Sequence, residues 1–308
     1  MSKVYMTIGL PCTKKSLNAR NFKEEYGDSV VILDSDEIRK ELFGAEIQTF
    51  NDMVFDVMNK RTIMALREGK DVVYCATNLN RKRRIHFIQN ICKGYEVDAL
   101  FFPISLGECL ERNIQRRYVR DIPLSKIEQM FRNIDVPLYL EGFNTIMIFH
   151  TTPPKEFNKY TLPFDIALYH YDQNNPYHNE TLGNHIISTA RYIINNLKDK
   201  LTEKENDILQ KVAYFHDLGK PYVRIQDDNG VSHYYGHEKV SAYLYSLYVK
   251  GGIVDKETDV IFTLISYHDG LYKYKDNIDN LIKIIGIENY RLLLLFNEAD
   301  KYRPNISE

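Results

Sequence analysis

The second half of this chain takes its fold from the stretch Tyr214-Phe215-His216-Asp217-Leu218-Gly219-Lys220-Pro221. Apolar residues recur before it at helical spacing and predict a helix that buries one face. Gly219 and Pro221 end that helix. His216 lies on the buried stripe, where an imidazole beside a carboxylate is unfavourable unless both are paired. A metal ion would satisfy both groups, although the doublet alone is more typical of a histidine that ends a helix.

Further histidines and acids occur along the same half of the chain, each within or at the edge of a predicted helix. They are His185, His237, His268 and Asp300. The order H…HD…H…H…D on helices resembles the HD-domain metal-dependent phosphohydrolase family. The resemblance implies that one metal ion is bound by His185, His216, Asp217 and Asp300, with His237 and His268 helping to bind a second. Imidazole and carboxylate ligands suit Mn, Fe, Co, Ni or Zn, so we expect one or two such divalent ions.

Three cationic or titratable side chains near this motif are candidates for phosphate binding and catalysis. Lys220 lies three residues after Asp217, and Arg224 follows four residues later. Both are predicted to neutralise a bound phosphate, with Lys220 in a catalytic role. His178 precedes the first ligand helix and is a candidate for the phosphate site, although a surface loop histidine explains it equally well.

The first half of the chain begins with a predicted buried strand, residues 3–9, followed by Gly9-Leu10-Pro11-Cys12-Thr13-Lys14-Lys15-Ser16 and a helix. A P-loop has the pattern G-x-x-x-x-G-K-[ST], in which backbone amides hold phosphates and the lysine reaches the terminal ones. Gly9, Lys15 and Ser16 fit this pattern, whereas Lys14 occupies the position of the second glycine. The bare pattern is weak, but its place between a strand and a helix strengthens it.

Further predicted strands alternate with helices through the first half, at residues 30–34, 71–74, 97–102 and 145–149. Such alternation predicts an α/β domain with a parallel sheet and helices on both faces. We therefore predict an α/β P-loop domain at residues 1–152, a linker at 153–172 and an all-α HD domain at 173–308.

Three sequence blocks in the first half carry a more specific resemblance. They are Ser35-Asp36-Glu37-Ile38-Arg39, Thr77-Asn78-Leu79-Asn80 with its trailing arginines, and Arg112-Asn113 with Arg116. Together with the P-loop they resemble the polynucleotide kinase family of phage and bacterial end-healing enzymes.

The kinase resemblance implies ATP and Mg²⁺ as cofactors and assigns roles to particular residues. The implied nucleotide-binding residues are Gly9, Lys14, Lys15, Ser16, Arg112 and Arg116, with Ser16 also on Mg²⁺ and Arg116 as the lid arginine over the transferred phosphoryl group. Asp36 is implied as general base on a 5′-hydroxyl, consistent with the needs of phosphoryl transfer. The implied strand-binding residues are Arg39, Asn78, Arg81 and Arg84, although a solvated helix face would explain the arginine cluster comparably well.

Two departures from the kinase pattern predict a weakened kinase. Lys14 puts a bulky side chain where a small residue normally approaches phosphate. The family carries an acid just before Thr77-Asn78, but Cys75-Ala76 supplies none, so the metal-associated carboxylate is missing unless Asp34 substitutes for it.

Composition is that of an ordinary globular protein, with 308 residues, 44% hydrophobic and 27% charged. The length favours two domains. The sequence contains neither a signal-like segment nor an apolar run that would span a bilayer, so we expect no membrane partner and a cytoplasmic location, in a bacterium or a phage-infected host. Four cysteines without CxxC spacing indicate reduced thiols.

The two resemblances together imply a nucleic-acid end-healing enzyme. The HD half would remove 2′,3′-cyclic, 2′- or 3′-phosphates and the kinase half would phosphorylate 5′-hydroxyls, with a separate nucleic-acid ligase as an implied partner. RNA is favoured over DNA as the polymer because a cyclic phosphate requires a 2′-hydroxyl. Two alternatives stay open. One is an HD hydrolase of small or cyclic nucleotides with a pseudokinase nucleotide-sensing or RNA-binding domain, and the other is a non-catalytic RNA-binding module.

Overall fold

The structure is a computed structural model that describes residues 2–44, 50–116, 118, 122–157, 166–176 and 180–302. The chain divides into two compact units. The N-terminal unit comprises residues 1–154 together with 250–254, and the C-terminal unit comprises 155–249 and 255–308. The domain limits expected from the sequence, 1–152 and 173–308, stay predictions, and the expected linker contains a one-turn helix at Ile166–Tyr169.

The N-terminal unit is built on a six-stranded sheet in the order β2-β3-β1-β4-β5-β8. Its parallel strands are β1 (Lys3–Ile8), β2 (Val30–Asp34), β3 (Asp71–Cys75), β4 (Glu96–Phe101) and β5 (Thr145–Ile148). Nearly continuous buried apolar runs, such as β1 and β4, are typical of strands that lie in the middle of a parallel sheet. The predicted α/β fold with a parallel sheet is confirmed.

The edge strand β8 (Gly252–Ile253) was not predicted. It pairs antiparallel with β5 although it follows β5 by about a hundred residues of chain. Two residues with a glycine carry no alternating pattern, so only the tertiary structure reveals this pairing.

Helices connect the strands of the N-terminal unit. They are α1 (Lys15–Tyr26), α2 (Ser35–Phe43), α3 (Asn51–Arg67), α4 (Arg81–His86), α5 (Leu106–Gln115) and α6 (Leu124–Arg132). Because α1 follows β1 and α2 follows β2 directly, the P-loop and the Asp36 block lie together at the carboxyl edge of the sheet. This edge is where open α/β sheets bind ligands.

The C-terminal unit is predominantly helical, and the prediction of a helical second domain is confirmed. Its helices are α7 (Ile166–Tyr169), α8 (Leu182–Asn196), α9 (Glu203–Phe215), α10 (Lys220–Val223), α11 (His237–Ser246), α12 (Lys256–Tyr267), α13 (Gly270–Lys273), α14 (Ile278–Ile285) and α15 (Ile287–Asp300). A short hairpin joins β6 (Ile225–Gln226) to β7 (Ser232–His233). Side-chain caps begin several of these helices, for example Thr202, which forms a capping box with Glu205 at the start of α9.

Helix α11 packs directly on the turn that follows α9. The amide of Gly219 donates to Ser241 Oγ at 2.9 Å, and a Cβ on Gly219 would lie 2.2 Å from the carbonyl oxygen of His237. Glycine is therefore required here because the backbones approach too closely for any side chain.

Among the described residues, the structure contains no helix that is both long enough and apolar enough to cross a membrane.

Candidate functional site

The predicted metal ligands of the C-terminal unit all lie at helix ends. His185 is in the first turn of α8, the His216-Asp217 pair follows α9, His237 begins α11, His268 follows α12 and Asp300 ends α15. The histidines and Asp217 are buried, whereas the Asp300 side chain is 24% exposed. The structure thus brings together residues that are more than a hundred positions apart in the chain.

One group of ligand atoms surrounds Oδ2 of Asp217. His185 Nε2 lies 3.4 Å from this oxygen and His216 Nε2 lies 3.3 Å from it. Asp300 Oδ1 completes the group, 3.0 Å from His185 Nε2 and 3.2 Å from His216 Nε2. Two imidazole nitrogens and two carboxylate oxygens at these separations form a suitable ligand set for a divalent transition metal.

A second group of ligand atoms surrounds the other carboxylate oxygen of Asp217. Oδ1 lies 3.1 Å from His237 Nε2 and 3.7 Å from His268 Nε2, and the two imidazole nitrogens are 2.9 Å apart. Asp217 therefore belongs to both groups, one oxygen to each, as the shared ligand of two neighbouring ions would.

Backbone carbonyls set the tautomers of three of these histidines. The Nδ1–H group of each donates at 2.8 Å to the carbonyl three residues earlier: His216 to Ala213, His237 to Tyr234 and His268 to Ile265. In the neutral ring this leaves Nε2 with its lone pair directed at the cluster, as metal-binding imidazoles require. Nε2 atoms of His237 and His268 that face each other at 2.9 Å need either a shared proton or a metal ion between them.

The electrostatics of the cluster also favour a cation. Burial opposes charge on His216, but the carboxylates of Asp217 and Asp300 outweigh it and raise the pKa of His216 to about 10. Burial likewise opposes charge on Asp217, yet His216 and Lys220 hold its pKa well below the usual range. The carboxylates thus stay ionised, and a metal ion would replace the protons on the imidazoles.

Lys220 is the cation nearest the shared carboxylate. Its Nζ lies 2.6 Å from Asp217 Oδ2 and 2.7 Å from Oε1 of the buried Gln173. The sequence offered no signal for Gln173, which is the first residue of the predicted HD domain. Arg224 instead donates to Ser232 Oγ at 2.8 Å and lies over the Tyr171 ring. His178 lies outside the described residues.

Sequence reasoning missed a carboxylate beside the second ligand group. Asp269 Oδ1 lies 3.8 Å from His268 Nε2, and Asp269 Oδ2 lies 4.0 Å from His237 Nε2. Lys273 bridges Asp269 to the buried Glu238, at 3.6 Å and 2.7 Å. The His268-Asp269 doublet was the available signal, since it repeats the His216-Asp217 pair.

Close packing at Gly219 leads to a first prediction. In Gly219→Ala the new methyl group would overlap the His237 carbonyl, so α11 must shift and carry His237 away from Asp217. We expect the variant to bind transition metal at least tenfold more weakly, as loss of ligand positioning typically causes. Metal content after dialysis measures this. Gly107→Ala is the matched control, because its Cβ would meet no atom within 4 Å; wild-type metal content in Gly219→Ala would contradict the prediction.

The candidate site of the N-terminal unit is a cavity of about 1720 Å³ at the carboxyl edge of the sheet. The predicted residues Lys14, Lys15, Ser16, Asp36, Arg39, Asn78, Arg84 and Arg116 are among those that line it. A cavity of this size can hold a nucleotide together with part of a second substrate.

The P-loop adopts a strained conformation at the position that departs from the pattern. Lys14 has φ 61° and ψ 21°, in the left-handed region that glycine normally occupies. The Lys14 side chain is exposed, so it does not block the start of α1. It adds a second cation, besides Lys15, next to the phosphate-binding loop. Gly9 has φ 155°, and a Cβ there would lie 2.7 Å from the Phe102 carbonyl oxygen. Gly9 thus permits the close approach of β1 and β4 that shapes the loop.

Lys15 is buried beneath the loop, where its Nζ donates to Thr13 Oγ1 at 3.0 Å and to the Leu10 carbonyl. Burial lowers the pKa of Lys15 to about 8. A bound phosphate would offer this ammonium a stronger partner than these neutral acceptors.

The predicted general base is held by the arginine of its own block. Asp36 Oδ1 accepts from Arg39 Nη1 at 3.2 Å, and Arg39 also donates to Asn51 Oδ1 at 2.6 Å. The Asp36 side chain is 24% exposed, whereas that of Arg39 is 5% exposed. The geometry thus leaves the carboxylate accessible and makes Arg39 the residue that orients it.

Arg84 requires a correction to the predicted strand-binding surface. The residue is 2% exposed, and its five N–H groups are all used. The acceptors are both Glu141 carboxylate oxygens and the carbonyls of Asn78, Asp135 and Val136. A guanidinium so saturated has no donor left for a strand phosphate, and Arg84 instead holds the chain segments around the site together.

Arg81 also turns towards Glu141, at 3.5 Å, and its side chain is 13% exposed. Lys82 and Arg83, which belong to the same predicted arginine cluster, are exposed and line the cavity. Within α4, the cations available to a strand are therefore Lys82 and Arg83, because the helical turn directs Arg81 and Arg84 inward.

The remaining predicted residues differ in how they face the cavity. Asn78 lines it but donates its amide to the Thr7 carbonyl at 2.8 Å, joining the ends of β1 and β3. Arg112 donates to the Cys12 carbonyl at 3.1 Å and so supports the loop from outside the cavity lining. Arg116 lines the cavity, and its buried Nε has no hydrogen-bond partner among the described residues.

Comparison with known proteins divides the chain in the same way. Residues 4–137 match the AAA domain family, and residues 182–300 match the HD domain family. Among curated proteins, no sequence matched this chain.

Similar solved structures include the Pnkp1/Rnl/Hen1 RNA repair complex, at 22% identity over 42% of this chain and 42% of that one, with a TM-score of 0.37. A second is a putative kinase from Chloroflexus aurantiacus, at 14% identity over 49% and 89% of the two chains, with a TM-score of 0.42. A third is the PezAT toxin–antitoxin system of Streptococcus pneumoniae, at 16% identity over 49% and 69%, with a TM-score of 0.36. The match thus covers 42% of the length of the chain in the RNA repair complex, which is less than half. Similarities this distant do not identify an activity.

Proposed function

We propose that this chain, which joins a P-loop kinase-like AAA domain to an HD domain, is a nucleic-acid end-healing enzyme. Its HD unit removes 2′,3′-cyclic, 2′- or 3′-phosphates, and its P-loop unit transfers phosphate from ATP to 5′-hydroxyl ends. The two activities together produce ends that a separate ligase can join.

The observation that carries the proposal is the position of Asp217 between two histidine groups, with one carboxylate oxygen in each. Two divalent transition-metal ions bound there would neutralise a phosphoryl group and acidify the attacking water. Asp217 fixes the position of the two ligand groups relative to each other, because it contributes one carboxylate oxygen to each. The carbonyl-bound Nδ1 atoms of His216, His237 and His268 keep the imidazoles in the tautomer that binds metal.

Lys220 acts beside this centre. Its ammonium group lies against Asp217 and Gln173, inside the protein, where a cation strengthens attraction for an incoming phosphate. Lys220 therefore helps to bind the end phosphate and to hold charge as the phosphorus–oxygen bond breaks.

In the P-loop unit, cations would likewise neutralise the charge of the phosphoryl group that is transferred from ATP. The loop amides and Lys15 would hold the nucleotide phosphates and Ser16 would bind Mg²⁺, while Arg116, which lines the cavity and whose Nε has no partner within the described part of the chain, would contact the transferred group. Asp36, oriented by Arg39, accepts the proton of the 5′-hydroxyl.

RNA is the favoured polymer because only a 2′-hydroxyl allows a 2′,3′-cyclic end, and hydrolysis of such an end is chemistry that the Asp217 centre suits. The exposed Lys82 and Arg83 at the edge of the cavity support binding of a phosphodiester backbone.

The proposal is tested with short RNA strands that carry a 5′-hydroxyl and either a 3′-phosphate or a 2′,3′-cyclic phosphate. We expect metal-dependent loss of the 3′ phosphate without ATP, and 5′ phosphorylation only with ATP and Mg²⁺. Faster hydrolysis of mononucleotides or cyclic nucleotides than of RNA ends would contradict the proposal and favour a small-nucleotide hydrolase.

Strand binding leads to a prediction for the exposed part of the arginine cluster. Replacing Lys82 and Arg83 together by alanine should weaken RNA binding about equally for all sequences, because phosphate contacts carry no base information. The slope of log affinity against log salt concentration should become shallower by roughly one to two. Fluorescence anisotropy over a salt series measures both quantities.

Arg67→Ala with Lys93→Ala is the matched control, since both side chains are exposed in the same unit and neither lines the cavity. An equal change in slope for the control pair would mean that Lys82 and Arg83 contribute only general surface charge.

A further inference from the structure

The P-loop unit has no acid at the end of β3, where Cys75 and Ala76 lie. A nucleotide-bound Mg²⁺ in P-loop proteins needs a carboxylate beside the loop Ser or Thr. The structure contains a candidate on the neighbouring strand, because the β2–β3 register pairs Asp34 directly with Cys75. Both residues end their strands, so the Asp34 carboxylate reaches the same edge of the sheet.

The two carboxylate oxygens of Asp34 have different partners. Oδ1 accepts the amide of Asp36 at 2.8 Å and thereby caps α2. Oδ2 accepts the hydroxyl of Ser16 at 2.8 Å and lines the nucleotide-sized cavity. Capping of α2 therefore accounts for the position of only one carboxylate oxygen. The other oxygen is directed at the Ser16 hydroxyl, which is the P-loop group that binds Mg²⁺.

The geometry also fits the ion. Mg²⁺ prefers octahedral oxygen ligands at about 2.1 Å, so neighbouring ligand oxygens lie about 3 Å apart. The Ser16 Oγ to Asp34 Oδ2 distance of 2.8 Å is close to this separation.

The thiol at the neighbouring position does not compete for the role. Cys75 Sγ lies 3.6 Å from Ser16 Oγ, but burial raises the pKa of the Cys75 thiol to about 12. A neutral sulfur is a poor ligand for a hard cation such as Mg²⁺.

We propose that Asp34 supplies the Mg²⁺-binding carboxylate of the P-loop unit, in place of the acid that β3 lacks. This inference rests on the proposed kinase function of that unit. The carboxylate has moved to the adjacent strand of the same sheet edge, so the loss at Cys75-Ala76 leaves the metal position intact.

Asp34→Asn separates the two roles of this side chain. The amide keeps the oxygen that caps α2 but replaces the other carboxylate oxygen by a neutral donor. In the wild type we expect ATP to bind at least tenfold more tightly with Mg²⁺ than with EDTA. In Asp34→Asn this ratio should fall to within about twofold of one, since loss of metal-associated groups typically costs 10–100-fold. Isothermal titration calorimetry measures the ratio without requiring catalysis.

Two further variants make the test specific. Adding Cys75→Asp to Asp34→Asn should return most of the Mg²⁺ dependence, because the register places a new carboxylate beside the lost one. Cys75→Ser alone should leave the ratio unchanged. An unchanged ratio in Asp34→Asn would overturn this inference while leaving the kinase proposal intact. A wild type whose ATP binding ignores Mg²⁺ would overturn both.

Discussion

Asp217→Asn should abolish the removal of end phosphates while changing ATP-dependent 5′ phosphorylation by less than about twofold. Asp217 contributes one oxygen to the His185–His216–Asp300 group and the other to the His237–His268 group. The amide removes the negative charge that both groups share, and a buried cation without it is poorly compensated. We expect phosphatase turnover to fall by roughly three orders of magnitude or more, as for the loss of a metal that generates the nucleophile.

Turnover of a 3′-phosphorylated RNA and the metal content of the purified variant check this result together. Asp228→Asn serves as the control, because that aspartate is exposed in the same unit and outside the ligand groups. Retained phosphatase activity with retained metal would refute the assignment of Asp217 as the shared ligand.

Arg84→Ala should destabilise the N-terminal unit by about 3–5 kcal/mol, the usual cost of removing one partner of a buried ion pair. The substitution leaves the Glu141 carboxylate buried and removes three hydrogen bonds to backbone carbonyls. Those carbonyls belong to segments beside the cavity, so their arrangement depends on Arg84. Urea unfolding followed by circular dichroism measures the loss.

The neighbouring Arg83→Ala should change stability by less than about 0.5 kcal/mol, because Arg83 is exposed. Arg84→Met combined with Glu141→Leu should cost less than Arg84→Ala, since it also removes the buried carboxylate that Arg84→Ala leaves without its main partner. Equal stability of Arg84→Ala and the wild type would restore Arg84 as a candidate for binding a strand phosphate.

The sequence was sufficient for features that depend on local pattern. The apolar runs that became β1–β5 and the helical periodicity around His216 predicted the two fold classes, which are confirmed. The ordered histidines and aspartates were also readable, because each marks the end of a helix and helix ends are local. Their assignment as metal ligands stays a prediction, supported by the distances within the cluster.

Other features were decided by contacts between distant segments. Arg84 and Arg83 are adjacent cations in the sequence, but the turn of α4 buries one against Glu141 and leaves the other in solvent. Strand β8 pairs with β5 from far along the chain.

Asp34 shows both what the local sequence determines and what tertiary contacts determine. The sequence identified it as the acid that could substitute for the missing carboxylate of β3, whereas its role as the cap of α2 is visible only in the structure. Only the register of β2 against β3 shows that its second oxygen reaches Ser16. Local patterns determine which segments form helices and strands because backbone preferences and side-chain periodicity act over a few residues. The partner of a polar side chain is determined by tertiary packing, because burial obliges each charge to pair with whichever group the fold brings within reach.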